Sequence, residues 1–154
     1  MLANGKNLGD YIPFYFGVRT PMLYVMQKGF NWVEPTAPQD IVYCVSSVQK
    51  ILDHQLDFVF TDGHAVDGFT SQYNKDDLSK IDELLDWQAI HAKFWKSDTD
   101  LDLKRRKEAE FLVLQDVPIG AILGYVVYNE EAKNKLLQWC VPDKQVHIKS
   151  QYYF

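Results

Sequence analysis

Apolar runs of strand length alternate with amphipathic segments along the whole chain, and turn residues rather than long linkers separate them. Tyr11–Gly17 (YIPFYFG) has the β-branched and aromatic content of a strand. Pro13 must sit at its start or on a sheet edge, because it has no N–H to donate. Thr20 and Pro21 then open a helix with Met22, Leu23, Val25 and Met26 on its apolar face and Gly29 at its end, which leaves Arg19 in the tight junction. Ile41–Ser47 reads as a buried strand, Val48–His54 as a short helix, and Asp57–Gly63 as the next strand with its exit. Thr61–Asn74 is polar and contains glycine, the pattern of a surface loop that carries function.

Helical spacing recurs in Leu78, Ile81, Leu84 and Leu85 and again in Trp87, Ile90 and Phe94, which predicts helices over 76–95 broken near Asp86. Glu110 opens the apolar run EFLVLQ, so its carboxylate is expected where a central strand meets a cleft. Ile119–Tyr128 reads as a strand, residues 129–140 as a helix capped by Asn129, and residues 145–154 as a final strand. This mixed order predicts an α+β fold around a mainly antiparallel sheet, with no internal repeat.

With 154 residues, 47% of them hydrophobic and 14% aromatic, the chain can bury a proper core as one domain over 1–154. No apolar run approaches the roughly 18 residues of a membrane helix. The start MLANGKNLGDY lacks the basic and apolar regions of a secretory leader, so a cytoplasmic protein is expected. Cys44 and Cys140, far apart and outside any C-x-x-C spacing, read as small buried hydrophobes, and Trp32, Trp87, Trp95 and Trp139 read mainly as core. His54, His64, His91 and His147 are scattered without metal-ligand spacing, which predicts no metal. Glycine-rich nucleotide fingerprints, H-E-x-x-H and G-x-S-x-G are all absent.

The net charge of −5 counts against nucleic acid as a partner in bulk. Within the acidic chain, however, Asp100–Glu110 (DLDLKRRKEAE) concentrates Lys104, Arg105, Arg106 and Lys107. Such a run serves either as a solvated helix face or as an anion-binding edge.

Four segments occur in a telling order: YIPFYFGVRTPMLY (Tyr11–Tyr24), FTDGHA (Phe60–Ala65), LLDWQAI (Leu84–Ile90) and RRKEAEFLV (Arg105–Val113). In these the chain resembles the DarT family over roughly Leu8–Tyr128. The resemblance implies a fold like that of the poly-ADP-ribose polymerases, a split, mainly antiparallel sheet with peripheral helices. It implies the toxin of a toxin–antitoxin system, which transfers ADP-ribose from NAD⁺ to a base, thymine, in single-stranded DNA. NAD⁺ is then the co-substrate and no metal is needed. A DarG-like macrodomain antitoxin would be the partner, and the transferase would act as a monomer away from membranes.

By the same resemblance Arg19 is the active-site arginine, with a share in NAD⁺ binding, and Glu110 the catalytic glutamate. Tyr11 helps form the NAD⁺ pocket, His64 lies in the loop that reaches toward the DNA base, and Lys104, Arg105 and Arg106 contact phosphates. Strand alternation puts Glu108 and Glu110 on one face, so the motif alone selects Glu110. A histidine in a polar turn can also simply bond its own loop, and Tyr11 can equally be a packed aromatic. The chemistry suits these residue types. A fixed carboxylate stabilises the cationic ribose as nicotinamide leaves and can take the proton of the accepting ring nitrogen, while an arginine cation steadies anions. The family pattern normally opens with a strand bearing a histidine and then a threonine for the adenosine side of NAD⁺. Here Met1 falls inside the connection that follows it, so the domain reads as N-terminally short. The alternative reading is a truncated, non-catalytic remnant that binds nucleic acid or protein.

Overall fold

Strands and helices alternate as β1 (Tyr11–Tyr15), α1 (Pro21–Lys28), β2 (Tyr43–Val45), α2 (Val48–Asp53), β3 (Phe58–Thr61), β4 (Gln72–Tyr73), α3 (Ile81–Leu84), α4 (Trp87–His91), α5 (Leu103–Lys107), β5 (Glu110–Leu114), β6 (Gly124–Val127), α6 (Glu130–Gln138) and β7 (Val146–Ile148). The computed structural model describes residues 5–154; the part of the leader reading that rests on Met1–Asn4 lies outside them. Among the described residues no helix is long and apolar enough to cross a membrane. The chain forms two units, one from the N-terminal segment up to Pro21 together with Leu56–Val117, the other from Met22–Gln55 and Pro118–Phe154.

The first unit is built on a fully antiparallel sheet of order β1-β5-β3-β4. β5 lies inside the sheet, as its apolar run predicts, and residues 110–113 are buried. Pro13 sits on the edge strand β1, where a missing N–H costs no ladder bond. On one face Phe58 stacks on Phe111 at 4.6 Å, and Phe16 meets both Phe111 and Trp87 edge-on. On the other face Tyr11, Val59 and Leu112 pack together. The expected helix break near Asp86 is a cap: its carboxylate accepts from Ala89 N at 2.9 Å and starts α4. Where β1 exits, the backbone of Gly17 passes so near α4 that a Cβ there would lie 2.6 Å from the Ile90 carbonyl oxygen. Only glycine permits that approach.

The second unit holds the sheet β2-β6-β7, in which β2 and β6 are antiparallel and β6 and β7 parallel. Val127 and Val146 bury against Ala132 and Leu136 of α6, whose N-terminus is capped by Asn129 as its sequence predicts. Ile119–Tyr128 is not one strand: after Pro118 the chain makes a 3-10 turn over Ile119–Ala121, and pairing starts only at Gly124. The final strand is likewise limited to Val146–Ile148. The aromatic tail folds back instead, Tyr153 Oη donating to the Ile41 and Val126 carbonyls at 3.0 Å each and Tyr43 Oη to the Tyr152 carbonyl at 2.8 Å. Ile41–Ser47 shrinks to the three-residue edge strand β2, which is half-exposed rather than buried. Cys44 lies on it and Cys140 just after α6, so both thiols are exposed rather than buried. Trp32 and Trp139 are also exposed.

Candidate active site

The site grows from the point where β3 ends and β5 begins. Glu110 N donates to Thr61 Oγ1 at 3.1 Å, and Thr61 Oγ1 donates to the Gly63 carbonyl at 2.7 Å. This fully buried hydroxyl therefore ties the head of β5 to the turn that leaves β3. The loop then swings back until Ala65 N donates to Glu110 Oε2 at 2.7 Å. Glu110 is only 6% exposed. Burial pushes its carboxyl above the ordinary glutamate range and the charge of Glu108 adds to this, while the Ala65 N–H and nearby His64 pull the other way.

Directly across the β1–β5 ladder stands Tyr15, paired in register with Glu110. Its phenol is pushed well up by burial, then by the charges of Glu110 and Glu108. Sequence reasoning missed Tyr15. The alternation within YIPFYFG could have placed it on the Tyr11 face, but not opposite Glu110, since register depends on pairing.

Three residues before Glu110, Lys107 is almost wholly buried, with Nζ donating to the carbonyls of Ile90 at 3.1 Å and Ala92 at 2.6 Å. Burial lowers its pKa and the nearby Arg19 cation lowers it further, with Glu108 opposing. Arg19 itself lies in the bend between β1 and α1 with φ of 54°, the left-handed region that costs a non-glycine residue on the order of 1 kcal/mol or more. Lys107, part of the basic run in sequence, is thus a buried structural cation that holds the end of α4.

An open cleft of about 420 Å³ lies on the loop side, bordered by the cations Lys104 and Arg105, the carboxylates Asp67, Asp102 and Glu108, and His64, Phe69 and Leu101. Phe69 and Leu101 are each 89% exposed at its rim. His64 reaches this cleft and stands close enough to Glu110 to influence its charge. Lys104 is exposed and meets the buried Glu108 carboxylate at 3.1 Å.

Two of the residues expected to contact phosphate are ion-paired within the chain. Arg105 is held by Asp62 and Asp102 and is only 13% exposed in its side chain, and Arg106 is bound by Asp86, Asp100 and Asp102. The aspartates interleaved with the basic run have folded onto it, because α5 turns both guanidinium groups toward the loop and the Asp86 cap. Of the three, Lys104 alone presents a mainly exposed charge. Tyr11 is not gathered with Glu110 either. It pairs with Leu114, four residues along the strand from the Tyr15–Glu110 pair, and is 6% exposed in the cluster with Val59 and Leu112. Among the described residues no group of three His, Cys, Asp or Glu side chains could hold a metal ion.

A buried carboxylate of raised basicity, held by a backbone N–H at the head of an inner strand, suits a transferase whose reacting centre turns cationic. The profile described as "ssDNA thymidine ADP-ribosyltransferase, DarT" matches residues 2–154, and the chain belongs to the DarT family. It is 34% identical over 157 residues to the DNA ADP-ribosyl transferase of Escherichia coli O127:H6, covering 99% of this chain and 71% of that protein. It is 35% identical to the Thermus sp. 2.9 transferase, spanning 61% of its length. The fold matches Thermus sp. 2.9 DarT in complex with ADP-ribosylated single-stranded DNA, with a TM-score of 0.85 and 31% identity over 99% of this chain and 73% of that one. The same protein in complex with NAD⁺ gives 0.82 and 32%, over 96% and 74%. A Thermosipho africanus fusion of DNA ADP-ribosyl transferase and DNA ADP-ribosyl glycohydrolase is 29% identical over 88% of this chain and 32% of the fusion.

Proposed function

We propose that this chain is the transferase domain of a DarT toxin, moving ADP-ribose from NAD⁺ to a thymine base of single-stranded DNA with Glu110 as its catalytic carboxylate. The observation that carries the reading is Glu110 itself. It is buried at the head of an inner strand and fixed by the Ala65 N–H, in a chain that matches the family along nearly all its length.

In the reaction the bond between the ribose carbon and nicotinamide breaks, and nicotinamide leaves with the electron pair. The cationic ribose carbon is stabilised by the Glu110 carboxylate, and the ring nitrogen of the base forms the new bond to it. The proton of that nitrogen passes to Glu110, a better base for being buried. Arg19 steadies anionic groups on the NAD⁺ side. Single-stranded DNA spares the enzyme the few kcal/mol of unpairing a duplex base. NAD⁺ and DNA meet in the cytoplasm, which is where we place the protein. The Thermosipho fusion joins a transferase to a glycohydrolase, which supports a macrodomain antitoxin as partner.

Incubation with NAD⁺ and a mixed single-stranded oligonucleotide, read by intact mass, tests this reading. A gain of one ADP-ribose on thymine-containing strands is expected, at a rate far lower with Glu110→Gln; a folded wild-type sample that adds nothing favours the non-catalytic binder instead. In direct binding, Lys104→Ala should reduce the slope of log affinity against log salt by about 0.7, one single-strand phosphate contact. Arg106→Gln, removing a guanidinium that three aspartates already occupy, should leave the slope unchanged. A larger slope change for Arg106 than for Lys104 would reverse this ranking.

A further inference from the structure

Residues 61–71 are wrapped around one side chain of α5. The neck of the loop is closed by Asp62 N donating to the Ser71 carbonyl at 3.3 Å and Ser71 N to Asp62 Oδ1 at 2.9 Å. Into it reaches Arg105, whose Nη1 donates to Asp62 Oδ1 at 2.9 Å and to Thr70 Oγ1 at 3.4 Å. The Arg105 carbonyl accepts from His64 N at 3.1 Å. Gly63 lies flat against the same side chain: a Cβ there would stand 2.4 Å from Arg105 Nη1. The rest of the fork is engaged by Asp102, with Nε to Oδ1 at 2.7 Å and Nη2 to Oδ2 at 2.8 Å. Only a planar group with several fixed donors can serve two carboxylates and a hydroxyl at once.

Ala65 follows His64 directly, so the segment that Arg105 holds is the one that delivers the Ala65 N–H to Glu110. We propose that Arg105 is a positioning residue for the Glu110 carboxylate, fixing residues 62–65 so that the loop holds the Ala65 N–H against it. The proposal rests on the reading of Glu110 as the transfer carboxylate. Around Glu110 stand Tyr15 from β1, Glu108 just before β5, the Thr61 hydroxyl from β3, and Ala65 and His64 from the loop. Of these, the Ala65 N–H and His64 favour the ionised carboxylate, and both ride on the loop that Arg105 buckles. Loosening the loop therefore weakens both of these influences, although the bond from His64 N to the Arg105 carbonyl and the Asp62–Ser71 neck remain.

The test is Arg105→Met, with Asp62→Asn as a milder break that leaves Arg105 in place. Both are read by the pH dependence of kcat and, independently of turnover, by NMR titration of the Glu110 side-chain carboxyl. Expected for Arg105→Met are a cooperative melt, a fall in kcat of about tenfold, an acid limb displaced toward neutrality and an NMR midpoint raised in the same direction. Asp62→Asn should do the same by less, and Arg105→Lys should recover only part. Combined with Glu110→Gln, Arg105→Met should cause no further loss, as two residues acting through one group are not additive. An unmoved NMR midpoint in Arg105→Met, or in Asp62→Asn where the first does not fold, would overturn the proposal. An absence of transfer by the wild-type chain would instead sink the reading of function, and the titration would still decide the role of Arg105.

Discussion

Glu110→Gln is expected to lower ADP-ribose transfer by on the order of 10² to 10⁴ while leaving the chain folded and, at neutral pH, somewhat more stable. The loss follows because the amide can neither balance a cationic ribose nor take a proton. The gain in stability follows from linkage. Burial raises the folded-state pKa of Glu110 above its unfolded value. Between the two values the folded chain holds more protons than the unfolded one, so wild-type stability falls as pH rises through that window and stays lowered above it. Glutamine does not titrate. The difference in melting temperature between variant and wild type should thus be positive at neutral pH and shrink as pH falls below the ordinary carboxylate range. A variant that transfers at the wild-type rate would remove Glu110 from the mechanism. A difference that grows toward acid pH would contradict the burial account.

The second large effect is on stability. Lys107→Ala should cost about 3 kcal/mol, because it opens a cavity and leaves the Ile90 and Ala92 carbonyls without their donor. That is a sizeable part of the 5 to 15 kcal/mol that holds a typical domain together. Lys107→Met, which keeps the volume, should lose roughly half as much. The loss should reach the site as well, since the Ile90 carbonyl also abuts Gly17, two residues before Arg19. Urea unfolding of the three proteins checks this. Equal midpoints for wild type and Lys107→Ala would mean that the ammonium contributes nothing.

Much of the fold was legible because it depends on local signals. The strand character of Phe58–Thr61 and Glu110–Leu114, the break near Asp86, the cap at Asn129 and the helix ending at Gly29 follow from residue type and spacing. Other expectations failed where distant residues compete for the same groups. The aromatic tail satisfies the Ile41 and Val126 carbonyls through the Tyr153 hydroxyl instead of extending as a strand. In the candidate site, the carboxylate at the head of a strand was readable, whereas its neighbours were not. Tyr15 reaches Glu110 through register, and the loop that delivers Ala65 reaches it through Arg105. The basic run could not reveal which of its cations were spent: aspartates at 62, 86, 100 and 102 close on Arg105 and Arg106 only once the loops fold.

The sequence by itself determined the class of fold, the family and the place of Glu110, because periodicity, capping residues and ordered motifs are written along the chain. The tertiary structure alone decided what surrounds that carboxylate, setting Tyr15 across from it and the Ala65 N–H against it, just as it alone buried Lys107 and tied down two arginines of the basic run. Charge and acidity depend on which groups come within a few ångströms of one another and on how much water is shut out, and neither is a property of neighbours in sequence.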